Sequence, residues 1–362
     1  MLRHPGWFRR TTVLPLVSLV LAVALGPVAA AAGPGEDPPT PLEQALAHVP
    51  ADASVIAFTD WNRLKAARGL GDLTGDTPAD QRLLALDGLE RSEALFSSTA
   101  SMDLRGFRER WGWDPADLDW EAEIGPVGWW RVLRFPDGFD LGAVRDRYLA
   151  AGWSMTMVGD ATALWDGRDK AVFLADGRTL LLGDVPRSAL EAVDGTPPPG
   201  IRPTPLGAVV GELETPLTAI VLTGDAACTG AGAGSGRWDA RTDPRNPPAN
   251  VTLLDQVGPL HPWTALAAAT EEGPGDTTTA RFAFAFADEV SAAVDSAGRT
   301  ILADQGTSLT TGLPYIQSVF RVTDTAVHGT AFTIDTAFVN SAPSVLHHLV
   351  DEGEDLLFAT CR

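Results

Sequence analysis

The chain of 362 residues has two lysines, Lys65 and Lys170, and its 47 acidic residues leave a formal net charge of -20. Binding to nucleic acid or anionic lipid rests on Lys and Arg neutralising phosphates, so this balance opposes both partners. Lysine scarcity beside abundant Ala, Gly, Pro and Arg reads as the coding bias of a GC-rich bacterial genome. Nucleophile signatures are also missing. There is no G-x-S-x-G, and His48, His261, His328, His347 and His348 stand in no hydrolase context. The glycine run Thr229 to Gly236 lacks both the G-x-G-x-x-G spacing and a Gly-Lys-Ser/Thr ending, and it leads into Arg and Pro, so it reads as a surface loop. The acids around Asp117 miss the EF-hand spacing, because Ala122 stands where the glycine belongs. Neither a cofactor nor a metal site is expected from these motifs.

What is present points to export. Residues 1–32 run from RHPGWFRR through an uncharged apolar stretch to an alanine-rich end, the order of a secretory signal peptide, with Val28 and Ala30 fitting a small-x-small cleavage site. A retained anchor is the rival reading, since Thr11 to Ala32 is long enough to span a bilayer. Pro15, Gly26 and Pro27 favour cleavage, after which no stable membrane insertion is expected. The Arg9-Arg10 pair is an incomplete twin-arginine signal, and no Cys follows the apolar run to carry a lipid. Cleavage removes three arginines and no acid, which takes the charge to -23. Cys228 and Cys361 both fall in the exported part, where thiols oxidise, and are expected to pair. The expected location is therefore secreted or extracytoplasmic cell envelope.

About 330 remaining residues exceed the size at which one core usually keeps growing. Proline-rich segments at 33–41 and 195–206 divide them into halves at 42–194 and 207–362. The halves share an order of elements: a short helix, a strand, a Trp-bearing turn, a strand, a helix, paired strands and a closing helix. The expected architecture is α+β, as two divergent tandem repeats, each an antiparallel or mixed sheet with helices packed on one face. The segments Asp80 to Phe96 and Cys228 to Pro248 fall outside the repeat. The sequon Asn250-Val251-Thr252 matters only in a host that glycosylates such sites.

The segments VPADASVIAFTDW, DLDWEAEIGPVGWWRVLRF, GAVRDRYLAAG and LADGRTLLLGD with SALEAV together resemble a group of exported bacterial proteins of unknown function that open with a Leu/Val-Pro-Ala-Asp strand. The resemblance covers residues 43–194, implies a fold, and brings no catalytic residues.

Seven of the eleven tryptophans lie between Trp111 and Trp165, and Gly112 to Trp130 concentrates four of them with five carboxylates. Asp114-Pro115 with Asp117 is a helix-start signal, and the spacing Trp113, Ala116, Trp120, Ile124 gives one helical stripe, so a short helix from Pro115 to before Gly125 is favoured over the strand that alternation of Leu118, Trp120, Ala122 and Ile124 would give. In the following strand, Trp129 and Trp130 must take opposite faces. Trp130 is expected to leave the core. Glu121, Glu123 and Trp130 thus remain as binding candidates without a sufficient structural role. The favoured function is a non-catalytic envelope or secreted protein that binds a protein or cell-wall polymer. Alternatives are an envelope hydrolase acting on glycan or peptide with Glu121 and Glu123 as acid and base, and a calcium-stabilised structural protein.

Overall fold

The computed structural model describes residues 39–361 except 51–52, 97–103, 126–128, 188, 190–203, 229–239, 242, 274–276, 310 and 352–355. The signal peptide, most of both proline-rich segments, most of the glycine loop and most of the SALEAV helix lie outside the described residues. The fold is α+β. In chain order its elements are α1 (Pro41–Leu46), β1 (Val55–Thr59), α2 (Trp61–Ala67), α3 (Ala79–Ser92), α4 (Leu104–Trp111), β2 (Trp120–Gly125), β3 (Trp130–Arg134), α5 (Leu141–Ala150), β4 (Ser154–Val158), β5 (Ala161–Trp165), β6 (Lys170–Phe173) and β7 (Thr179–Gly183). The second half supplies α6 (Pro205–Val210), β8 (Thr218–Thr223), α7 (Pro248–Val257), β9 (Ala265–Glu272), β10 (Thr278–Ala285), α8 (Glu289–Gln305), α9 (Tyr315–Ser318), β11 (Phe320–His328), β12 (Ala331–Phe338) and α10 (Ser344–Asp351).

All twelve strands form one sheet in the order β11-β12-β10-β9-β8-β1-β2-β3-β7-β6-β5-β4. The ladders are antiparallel throughout. The halves meet where β1 pairs with β8, Ala57 opposite Ile220. Outward from that pair each half places its second strand, its third, and then its last. Both also open with Thr-Pro-Leu: Thr40 and Thr204 each cap a helix whose first residue is proline, the position at which a missing N–H costs nothing. The expected separate sheets are thus joined into one. Two proline-rich boundaries move as well, since Pro41 and Pro205 already belong to helices.

Helices cover both faces rather than one. On the first face α1 and α6 pack over Ile56, Phe58, Trp120, Ala122, Trp130, Val132 and Val221. On the second, α2 to α5 cover the first half through Leu64, Leu86, Trp111 and Tyr148 against Leu133, Phe135 and Leu180. There α7 to α10 cover the other half through Leu254, Leu302, Tyr315 and Leu346 against Phe282, Phe284 and Phe332. Between these two apolar layers the sheet is polar. Glu121, Thr59, Thr218 and Thr270 are cross-strand neighbours in one row, all with no exposed surface, and Thr218 and Thr270 share a hydroxyl hydrogen bond of 2.8 Å.

The stretch expected as a helix from Pro115 makes a single 3-10 turn, Pro115–Asp117, and then the strand β2. Its start signal is real: Asp114 caps the turn, accepting from Ala116 N at 3.0 Å, and Asp117 Oδ2 accepts from Asp114 N at 3.1 Å. Alternation prevails beyond it because β2 lies between β1 and β3, where a pleated strand satisfies every backbone group on both sides. Trp263, in the Trp-bearing turn of the second half, precedes β9 and donates Nε1 to Ala359 O at 2.9 Å, whereas Trp120 opens β2 and packs on Phe58.

Cys228 and Cys361 form a disulfide across a separation of 133 residues. The terminal segment it ties down is also held by Arg299, which is fully buried on α8. Its guanidinium donates to Phe358 O at 2.6 Å, His261 O at 2.7 Å and Asp295 Oδ2 at 3.2 Å. Burial lowers its pKa to about 10, opposed by Asp295, so it remains charged at neutral pH.

Candidate functional site

Most carboxylates of the Gly112–Trp130 stretch are matched by arginines brought from elsewhere in the fold. Asp114, with no exposed surface, accepts from Arg82 Nε at 2.8 Å and lies 3.5 Å from Arg108. Asp117 pairs with Arg108 as well; desolvation raises its pKa against the pull of that guanidinium. Asp119 accepts from Asn62 Nδ2 at 2.7 Å and Arg178 Nη2 at 2.9 Å. Lys65, buried, joins α2 to this turn by donating Nζ to Ala116 O at 2.8 Å and Leu118 O at 3.3 Å. Burial lowers its pKa while the surrounding aspartates raise it. Among the described residues no group of three or more His, Cys, Asp or Glu side chains is arranged to hold a metal ion.

The structure separates the three candidates named from sequence. Glu121 and Glu123 share the second face of β2, as alternate residues of a strand must. Glu121 is sealed beneath the helical layer with no exposed surface. Glu123 is partly exposed and pairs across the strands with Arg131 of β3. Trp130 points to the opposite face and is 2 % exposed within the core under α1. The tryptophan that leaves the core is therefore Trp129, which is 53 % exposed. The reversal has a local cause: Trp130 joins the apolar cluster of the first face, with Leu42 and Leu46 of α1 and Val185 after β7, while Trp129 precedes the strand on the other face.

Glu123 and Arg131 form the common wall of two cavities on the second face. The first, of about 300 Å³, is walled by Phe107, Trp111, Trp129, Tyr148 and Trp153, with Asp169, Leu182 and Gly183 completing it. The second, of about 430 Å³, is lined by Glu90, Glu93, Leu95, Phe96, Ser344, His347 and His348. The second lies at the seam between the helical layers of the two halves and the first beside it, wholly within the first half; the two, meeting at Glu123 and Arg131, form the seam groove. His347 and His348 of α10 line the second cavity.

The aromatic wall is rigid. Trp111 stacks on Tyr148 with centroids 4.0 Å apart, and Trp153 stands edge-on to Tyr148 at 4.8 Å. Trp129 is seated on glycine: a Cβ at Gly125 would lie 2.8 to 2.9 Å from three atoms of the indole, so the ring fills the space of the absent side chain. Gly183, at φ +113°, allows β7 to approach the Trp129 carbonyl, which would stand 2.8 Å from a Cβ there. Arg131 reaches Glu123 only by Nη2, at 3.2 and 3.3 Å, and its Nε is buried with no hydrogen-bond partner. The signals that could have found this site are the glycine four residues before Trp129 and the charge opposition of Glu123 and Arg131 across a Gly-Pro turn.

The sequon residue Asn250 is buried; its amide donates to Thr307 O and accepts from Thr307 N, both at 2.9 Å. Its side chain is thus occupied in the fold.

No family model matches this chain, and no curated protein does. Among solved structures, crystal form I of TP0453 aligns with 86% of this chain and 98% of its own at 9% identity and a TM-score of 0.39. Crystal form III of TP0453 aligns with 84% and 98% at 10% identity and 0.37. Similarity this low assigns no function.

Proposed function

We propose that this is an exported, non-catalytic protein of the cell envelope that holds an extended partner, polymer or protein, in the seam groove. One observation carries the reading: an exposed tryptophan seated on Gly125 stands beside the Arg131–Glu123 pair, in a cavity that shares this pair as a wall with a second one. Sites of this kind combine apolar walls with a few convergent polar groups. The disulfide is compatible with an oxidising compartment, and no helix among the described residues is long and apolar enough to cross a membrane.

Hydrolysis by paired carboxylates finds little support in this geometry. Two such groups must flank the scissile bond, but Glu121 has no exposed surface and Glu123 is engaged by Arg131.

The test is retention. The exported form of the chain is mixed with isolated bacterial cell envelopes and sedimented, beside Trp129→Ala and Arg131→Ala. Wild type is expected in the pellet and both variants in the supernatant. Equal sedimentation of all three would overturn the groove as the binding surface.

A further inference from the structure

We infer that the Trp129 cavity is a subsite for one uncharged pyranose unit of a glycan. This rests on the groove reading above and narrows its partner to a polysaccharide.

Charge is the first discriminator. Glu123 is paired with Arg131 and Asp169 lies 4.0 Å from Arg168, so the lining holds no unpaired charge for an ionic ligand to answer, and an anion would also meet a chain of net charge -20. The Arg131–Glu123 pair is itself neutral, yet Arg131 spends only Nη2 on Glu123, which leaves further guanidinium N–H on one partner and carboxylate lone pairs on the other. A neutral group that both accepts and donates satisfies the two together, and neighbouring sugar hydroxyls do so.

Shape is the second. A pyranose carries C–H groups on its face and hydroxyls at its rim. The cavity presents the complement: the half-exposed indole of Trp129 for the face and the charged pair for the rim, in about 300 Å³, at the lower end of small-ligand sites. Tryptophan supplies an apolar ring at little entropic cost.

Backbone availability is the third. A peptide that adds a strand needs an open edge. Here β2 is paired with β1 and β3, and β3 with β2 and β7, so no free edge faces the cavity. A helical peptide needs a continuous apolar trough, but the adjoining cavity is lined by Glu90, Glu93, His347 and His348. A glycan with one unit on Trp129 and further units along that polar stretch fits both cavities.

Trp129 acts by stacking, and Gly125 positions it. The full exported chain, Trp129→Ala, Trp129→Phe and Gly125→Ala are titrated with chitohexaose, cellohexaose, laminarihexaose and mannohexaose, with hexagalacturonate as the anionic control. Tryptophan fluorescence and calorimetry report binding, and thermal melts confirm that each variant is folded. At least one neutral hexasaccharide is expected to bind wild type. Trp129→Ala and Gly125→Ala should weaken it roughly tenfold or more, and Trp129→Phe by less than about fivefold. Hexagalacturonate should bind roughly tenfold more weakly than the best neutral glycan. The inference is overturned if no neutral glycan binds wild type more tightly than Trp129→Ala, or if hexagalacturonate binds best. Trp129-dependent retention on envelopes without hexasaccharide binding would sink the sugar assignment alone and leave the groove with a protein partner. Loss of both would remove both readings.

Discussion

Trp129 and Trp130 are consecutive, yet one is 53 % exposed beside an open cavity and the other 2 % exposed in the core on the opposite face of the sheet. The pleat requires that they diverge, and the apolar cluster on the first face decides which is covered. Their substitutions should therefore behave in opposite ways.

Trp130→Ala removes a buried indole and is expected to cost about 3–5 kcal/mol of stability. Trp129→Ala should change stability by about 0.5 kcal/mol or less, as for other exposed positions. Urea unfolding followed by far-UV circular dichroism measures both; comparable losses in the two variants would contradict the assignment of faces.

Asp60 caps α2, accepting from Arg63 N at 3.0 Å. Desolvation is the largest influence on it and, with Asp119 adding repulsion, raises its pKa to about 6 against the pull of Arg63 and the backbone donors. Below about pH 4 it is protonated in folded and unfolded chains alike. Between about pH 4 and 6 the unfolded chain releases this proton while the folded one keeps it, so the group's contribution to stability falls as pH rises. Asp60→Asn keeps the capping oxygen and removes the titration. Melting temperatures of variant and wild type are expected to coincide near pH 4 and to separate in favour of the variant by pH 7.5, by on the order of 1–3 kcal/mol. A constant difference across that range would show that Asp60 is not the titrating group.

The Cys228–Cys361 bridge closes a separation of 133 residues. In the chain-entropy model such a loop stabilises by up to about 5 kcal/mol. Cys361→Ser should lower the melting temperature under oxidising conditions and abolish its sensitivity to reductant. Wild-type melts unchanged by reductant would argue that the bridge adds little to stability.

Arg299 is a fully buried charge on α8, and its removal leaves the carbonyls of His261 and Phe358 without this donor and Asp295 with only its His261 contacts. Arg299→Ala is expected to cost about 3–5 kcal/mol and to speed hydrogen exchange at Leu357 and Ala359, which lie in the segment it clamps. Protection there equal to wild type would show that the disulfide alone holds the terminus.

The local code was legible wherever it was periodic or capped. Alternation marked β3, Asp114-Pro115 marked the start of a turn, and oxidising export implied the pair Cys228–Cys361. Of the three binding candidates only Glu123 lines the proposed groove, and its cavity neighbours Arg131 and Trp129 are not marked by the sequence. The helix expected after Pro115 failed because a start signal says nothing of how far a helix runs; neighbouring strands on both sides of β2 supplied stronger pairing.

Sequence by itself determined the acidic charge, the α+β class and the positions at which adjacent side chains part. Only the tertiary structure decided that β1 and β8, more than 150 residues apart, join the halves into one sheet, that arginines from α3, α4 and the β6–β7 turn neutralise Asp114, Asp117 and Asp119, and that Trp129 rather than Trp130 meets solvent. The physical reason is the same in each case. Periodicity defines two faces of a strand, while which face is buried depends on elements that are distant in sequence and arrive only when the chain has folded.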